Sequence, residues 1–230
     1  MILESDIAGG VYCHQGNDNV DQNWLDNAMA NISISRVKRE FAEVVKSEEA
    51  KRCGICIKML NENNFTKLLG EITGPPDTPY EGGKFLVDIE IPDSYPFNPP
   101  KMKFITRIWH PNISSVTGAI CLDILKDNWA AALTLRTVLM SLQVLLSAAE
   151  PDDPQDAVVA KQYNENIHLF MKTARHWSEA YAKARPIKTQ DFHEKVRKLS
   201  ETGFSEDSCR TALSKSGWDE QRGMETLLDS

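Results

Sequence analysis

The segment His110-Pro111-Asn112-Ile113-Ser114-Ser115-Val116-Thr117-Gly118-Ala119-Ile120-Cys121-Leu122-Asp123 gathers residue types that can do acyl chemistry into one short stretch. Pro111 fixes a backbone angle, and Asn112 beside it can hydrogen-bond backbone while aiming an amide donor outward. Ser114, Ser115, Thr117 and Gly118 read as a loop, so Cys121 arrives just after an irregular surface segment. Two readings follow. Cys121 is either a small buried hydrophobe, as most free cysteines are, or a nucleophile whose developing oxyanion the Asn112 amide would stabilise.

The elements that must hold this segment can be read outward from it. Ile34, Val37, Phe41, Val44 and Val45 fall at helical spacing, with Ser33 or Ser35 as the N-cap. The opposite face carries Arg36, Lys38, Arg39 and Lys46, and is either a solvated surface or a docking face for an acidic partner. Stretches 55–60 and 68–72, the alternation Phe85, Val87, Ile89, Ile91, and Met102 with Phe104 predict four strands. Turn residues separate them, which makes a four-stranded antiparallel meander. Tyr95-Pro96-Phe97-Asn98-Pro99-Pro100 is too proline-rich for a strand and reads as a stiff loop, compatible with a cis bond at a proline.

Thr134 caps an apolar helix predicted over 135–149, which stops at Glu150-Pro151-Asp152-Asp153-Pro154. Asp152 or Asp153 is expected to cap a helix beginning near Gln155. Helical periodicity continues to residue 183 with an interruption at Asn164-Glu165-Asn166. Residues 184–189 read as a linker. Beyond it, 190–230 holds three brief helical patterns, with Ser205 and Asp219 as N-caps, the signature of a small interaction bundle. Cys53-Gly54-Ile55-Cys56 has no second ligand pair at zinc spacing and no helix start to activate a thiol, so it is taken as structural and no metal is expected.

The chain of 230 residues is long enough for one medium domain and a small one, and its 41% hydrophobic and 26% charged content is that of a globular protein. No apolar run of about 18 residues exists to cross a membrane, and the start lacks the pattern of a secretory signal. Five scattered cysteines favour a reducing compartment over a disulfide framework, hence the cytoplasm, with the nucleus also open. The net charge of −7 is concentrated in residues 1–28, which carry five acidic and no basic side chains, while 29–187 is balanced. Nucleic acid is therefore no bulk electrostatic partner. Residues 1–28 read as a disordered acidic extension, with Met29 as an alternative start.

From residue 30 to residue 183 the chain resembles the ubiquitin-conjugating enzymes. The matching pieces come in order: the amphipathic first helix, the meander, Gly74-Pro75 to Tyr80-Glu81-Gly82-Gly83, Tyr95 to Pro100, His110-Pro111-Asn112, Ile120-Cys121-Leu122-Asp123, Trp129, and Pro151-Asp152-Asp153-Pro154. The final bundle resembles a ubiquitin-associated domain, with Gly203-Phe204 in its first loop and Leu227-Leu228 in its last helix. The expected fold class is α+β: a conjugating core over 29–183 with a four-stranded antiparallel meander flanked by helices, a linker over 184–189, and a three-helix domain over 190–230.

The resemblance implies that Cys121 accepts ubiquitin as a thioester from an activating enzyme and passes it to a lysine amine. Asn112 would stabilise the oxyanion or brace the loop, and Asp153 would orient or deprotonate the lysine. Asp123 is a weaker candidate for orienting it, and His110 and Pro111 would shape the turn. No cofactor would be bound, ATP being used upstream by the activating enzyme. Phe97, Trp129, Ala131 and Ala132 match the ligase-docking loops beside Arg36 and Arg39, a helix the activating enzyme also grips. Gly203, Phe204, Leu227 and Leu228 would contact ubiquitin. The implied partners are ubiquitin, polyubiquitin, the activating enzyme and RING-type ligases, for a monomer that builds chains of the linkage the proteasome reads. Two departures matter. Ala131 stands where many ligase-responsive relatives carry proline, which loosens that loop. Thr202 replaces the usual methionine before Gly-Phe, removing an adaptable apolar contact and leaving packing on the core as the alternative role of the bundle. Two other classes compete. A thiol hydrolase would need His110 as base, and nothing in the sequence orients it; inactive ubiquitin-binding relatives lack the cysteine that this chain keeps.

Overall fold

A computed structural model describes residues 18–62, 64–186 and 189–229, with side chains from Met29 onward. Strands β1 (Ile55–Met59), β2 (Lys67–Thr73), β3 (Lys84–Glu90) and β4 (Lys101–Phe104) pair in sequence order as an antiparallel meander. Side chains alternate across a strand, so Leu68 and Ile72 of β2 and Phe85, Val87 and Ile89 of β3 share one buried face. Helix α3 (Leu135–Ser147), capped by Thr134, lies on that face. It packs closely because β2 has Gly70 beneath it. A Cβ there would sit 3.0 Å from Leu139 and 3.2 Å from Ile89.

Helix α1 spans Asp18–Lys46, so helical backbone replaces the expected disordered extension over 18–28. Extending a helix adds one hydrogen bond per residue ordered, whereas the costly nucleus is already supplied by the packed turns around Val37 and Val44. Residues 1–17 of that extension lie outside the described residues. The buried Glu40 carboxylate joins α1 to two other elements. It accepts from Arg36, from the Tyr95 hydroxyl at 2.6 Å and from the Leu135 backbone N–H at 2.9 Å. Tyr95 opens the proline-rich loop, where the Tyr95–Pro96 bond is cis. A short helix α2 (Glu48–Arg52) that periodicity did not reveal follows, capped by Ser47.

Helices α4 (Ala157–Glu165) and α5 (Ile167–Tyr181) meet at Asn166, which caps α5, at the predicted interruption. The cap of α4 is Asp156, not Asp152 or Asp153, because those two sit in a turn closed by Asp153 N–H on the Glu150 carbonyl and Pro154 disfavours helical backbone at the residue before it.

The terminal bundle of α6 (Gln190–Ser200), α7 (Glu206–Lys215) and α8 (Glu220–Leu228) has its own core, with Phe192 and Trp218 stacked at 3.6 Å. It sits against α5. Trp177 donates to Ser214 Oγ and Trp218 to Thr173 Oγ1, each at 2.9 Å, and the buried Arg210 donates Nε–H to His176 Nε2 at 3.1 Å. The linker is packed as well, since Ala184 and Thr189 are buried; its residues 187 and 188 lie outside the described residues. His176, Glu179 and His193 converge at this junction with ligating atoms within 4.8 Å, as metal ligands can. Arg210 can only donate, however, so the neutral His176 ring carries its proton on Nδ1, toward Thr189. Thr189 in turn donates to Glu179. The trio is a hydrogen-bonded joint.

Candidate active site

The loop carrying Cys121 is folded back on itself through the pairs His110 with Ile113 and Ile113 with Ile120. The Cys121 N–H donates to the Asn112 carbonyl at 2.8 Å. Gly118 makes the return possible. Its φ is +74°, and a Cβ on it would lie 2.0 Å from the carbonyl oxygen of Phe104 in β4.

His110 is fully buried. Its Nδ1 accepts from the Asn112 N–H at 3.0 Å, which leaves the proton on Nε2, 2.9 Å from the Leu145 carbonyl. Burial pushes its pKa down to about 4. A ring spent on backbone at both nitrogens cannot serve Cys121 as a base, which removes the hydrolase reading. Pro111 contributes its carbonyl, which accepts the Gln155 and Asp156 N–H groups at 2.9 Å each.

Asn112 donates through Nδ2 to the carbonyls of Glu150 (2.8 Å) and Asp153 (2.9 Å), and accepts from Glu150 N–H at 2.8 Å. Both amide hydrogens are used, so the side chain braces the Glu150–Pro154 loop and aims no free donor at Cys121. Of the two roles expected for Asn112, the geometry favours the brace. The clamp brings Asp153 over the thiol, where Oδ2 lies 3.3 Å from Cys121 Sγ. Asp123 points elsewhere. Its carboxylate accepts from Ile124 N–H at 2.7 Å and Asn128 Nδ2 at 2.8 Å, stapling the 3₁₀ turn Asp123–Leu125.

Two contributors escaped sequence reasoning. Lys126 closes that 3₁₀ turn and sets Nζ 3.2 Å from Cys121 Sγ, and the sulfur contact raises the ammonium's pKa above its ordinary value. Asp156 caps α4 with Oδ1 and with Oδ2 accepts from Ser115 N–H (3.0 Å) and Oγ (2.6 Å), tying the Ser/Thr loop to that helix. The faint signals were a lysine five residues past Cys121 and an acid after Pro154 at a helix start.

The expected docking residues lie on two joined loops. Phe97 projects with 65% of its surface exposed, and Trp129 donates to the Pro96 carbonyl at 2.8 Å. Ala131 and Ala132 are exposed. Arg36 is drawn into the structure, reaching the carbonyls of Ala131 (3.1 Å) and Leu133 (3.3 Å), whereas Arg39 is exposed. In the bundle, Gly203 has a φ of +105° and Phe204 packs against the bundle core. Leu227 is largely buried in that core, whereas Leu228 is exposed, so of the two leucines expected to contact ubiquitin only Leu228 projects from the bundle.

A thiol on a braced loop, beside a carboxylate and with no histidine base among the described residues, fits an acyl-carrying cysteine better than a hydrolase. The family model of the ubiquitin-conjugating enzymes matches residues 36–178, and a UBA-domain model described as Ucp12-like matches 191–230. The chain is 60% identical over 200 residues to the ubiquitin-conjugating enzyme E2-22 kDa of Drosophila melanogaster, covering 87% of this chain and 100% of that one. It is 59% identical over 202 residues to the human ubiquitin-conjugating enzyme E2 K, covering 88% and 100%. Among solved structures, a Toxoplasma gondii ubiquitin-conjugating E2 domain superposes with a TM-score of 0.60 at 51% identity, over 64% of this chain and 98% of that one. The chain belongs to the ubiquitin-conjugating enzymes, transferases that work through a cysteine thioester, and carries a C-terminal UBA domain.

Proposed function

We propose that Cys121 takes the C-terminal carboxyl of ubiquitin from the activating enzyme and hands it to lysine amines, building polyubiquitin of the linkage that directs proteasomal degradation. The observation that carries this reading is the Cys121 thiol held 3.3 Å from the Asp153 carboxylate by the Asn112 clamp. In the first step the Cys121 sulfur attacks the carbonyl of the activating enzyme's thioester. The new C–S bond forms as the old one breaks, and the displaced thiolate takes up a proton. In the second step a lysine nitrogen attacks the Cys121 thioester, giving an amide and a free thiol. The incoming lysine must lose a proton, and Asp153 orients it and accepts that proton, a role supported by the 3.3 Å between its Oδ2 and the sulfur. Asn112 acts by holding the loop that carries Asp153. Ubiquitin, the activating enzyme and ubiquitin ligases are the partners of the class. For this chain the ligases are RING-type, meeting Phe97 and the Trp129–Ala132 loop. The enzyme works as a monomer in the cytoplasm, with the nucleus also open to it, and binds no cofactor; the activating enzyme consumes ATP.

Incubation with activating enzyme, ATP and ubiquitin on a non-reducing gel tests the carrier step. Wild type should gain a band one ubiquitin heavier that thiol reductant removes, and Cys121→Ser should give a reductant-stable ester. Ubiquitin variants with single lysine-to-arginine changes then report the linkage. Absence of any ubiquitin adduct on wild type would overturn the reading.

A further inference from the structure

The thiol has two charged neighbours of opposite sign. Lys126 Nζ lies 3.2 Å from Cys121 Sγ, and Asp153 Oδ2 lies 3.3 Å from the same atom. The lysine is exposed, so desolvation weakens its charge less than the sulfur contact strengthens it, and its reach is set by a stapled turn. Its N–H donates to the Asp123 carbonyl at 2.9 Å, the Asn128 N–H donates there at 3.1 Å, and the Asp123 carboxylate holds Ile124 N–H and Asn128 Nδ2. The other charge felt at Lys126 is Asp127, its neighbour in the chain, since the Asp123 carboxylate is turned to Ile124 and Asn128.

We propose that Lys126 is a further catalytic residue, the cation that stabilises the Cys121 thiolate for its attack on the incoming ubiquitin thioester, with Asp123 as the residue that positions it. The inference rests on Cys121 being the ubiquitin carrier. Thiolate is the nucleophilic form, and a fixed ammonium against sulfur favours it over the thiol. Asp153 opposes this, since a carboxylate beside sulfur favours the protonated thiol. The two neighbours therefore divide the reaction. Lys126 serves loading, when sulfur carries charge, and Asp153 serves discharge, when the lysine acceptor must lose a proton. In loading, the sulfur lone pair forms the new C–S bond, the activating enzyme's sulfur leaves with the electrons of the old bond, and Lys126 keeps its proton throughout. Once the thioester forms, the sulfur is neutral and the ion pair is gone.

The test is the pH profile of Cys121 alkylation by iodoacetamide in the full-length free protein, read on the Cys121 peptide by mass spectrometry. Lys126→Met is expected to move the profile up by about half to one pH unit, making alkylation at pH 7 about three- to ten-fold slower, because one unit is a tenfold change in thiolate population. Lys126→Arg should restore it. Molar salt should shrink the difference between wild type and Lys126→Met, as screening requires at an exposed pair. Asp153→Asn should move the profile down, and Asn128→Ala, which cuts the Asp123–Asn128 staple without changing any charge, should move it up part of the way toward Lys126→Met. Ubiquitin loading of Lys126→Met should slow by a factor similar to that of alkylation. A Lys126→Met profile superimposable on wild type overturns the proposal. If wild type takes no ubiquitin from the activating enzyme, the carrier reading fails instead, whatever the alkylation profile.

Discussion

At the scale of single residues, the site separates what holds the loop from what touches the sulfur. Asn112→Ala would leave the Glu150 N–H and the Glu150 and Asp153 carbonyls without the partner they have now. Glu150 and Asp153 lie at the surface, where water replaces part of what is lost, so each bond removed costs about 1 kcal/mol. The expected outcome is a fall in the urea midpoint together with slower discharge of ubiquitin to free lysine, since Asp153 would no longer be held over the thiol. Asp153→Asn separates the two effects. It keeps the backbone carbonyl that Asn112 grips, so stability should hold while discharge to lysine slows by about 100-fold, the usual contribution of a positioned proton acceptor. Discharge assays on preformed thioester, read beside urea melts, distinguish these outcomes.

Among elements, the loop that brings Cys121 into place depends on the closeness of Gly118 to β4. Gly118→Ala puts a methyl 2.0 Å from the Phe104 carbonyl and imposes a left-handed φ on a residue that resists it. The expected result is a loss of 2 kcal/mol or more, on the order of the cost of strain plus a displaced loop, and a Cys121 that loads poorly; urea melts and the non-reducing gel check both. The docking loop shows a different kind of support. Ala131 lacks the rigidity a proline would bring, yet Arg36, held by Glu40, grips the Ala131 and Leu133 carbonyls. The basic face of α1 is thus divided, with Arg36 acting as an internal strut and Arg39 exposed to solvent.

On the scale of the whole molecule, the bundle is joined to the core through α5. The joint uses neutral histidine, because His176 is buried between Arg210 and His193 and its pKa is pushed down to about 3. His110, behind the active-site loop, is pushed down to about 4. Both values lie below the ordinary value near 6.5, so the unfolded chain binds these protons first as pH falls. Stability contributed by the two neutral rings is complete above pH 7 and is lost progressively from about pH 6.5 toward pH 3 to 4. Between pH 8 and pH 5 each should cost on the order of 2 kcal/mol. Urea midpoints across that range should fall on the acid side, and His176→Leu should flatten the slope; a midpoint independent of pH would contradict the buried neutral rings.

Much of this molecule was determined locally along the chain. Alternation marked β3, apolar runs marked α3, and Ser205, Asp219 and Thr134 marked helix starts, because caps and periodicity act over a few residues. The order of short motifs around Cys121 carried the family for the same reason. What only tertiary structure decided involves residues distant in sequence. Asn112 became a brace through carbonyls 38 and 41 positions away, and Asp153 reached sulfur from 32 positions away. Lys126 is close in sequence, but the turn that aims it is stapled by an Asp123–Asn128 bond that no periodicity reveals. The bundle's seat on α5 depends on indole, hydroxyl and guanidinium groups matched across two domains, and Leu227 was lost to the bundle core because an exposed and a buried leucine look alike in sequence. Propensity and pattern are properties of neighbours along the chain, whereas a hydrogen bond between distant loops exists only once both have folded.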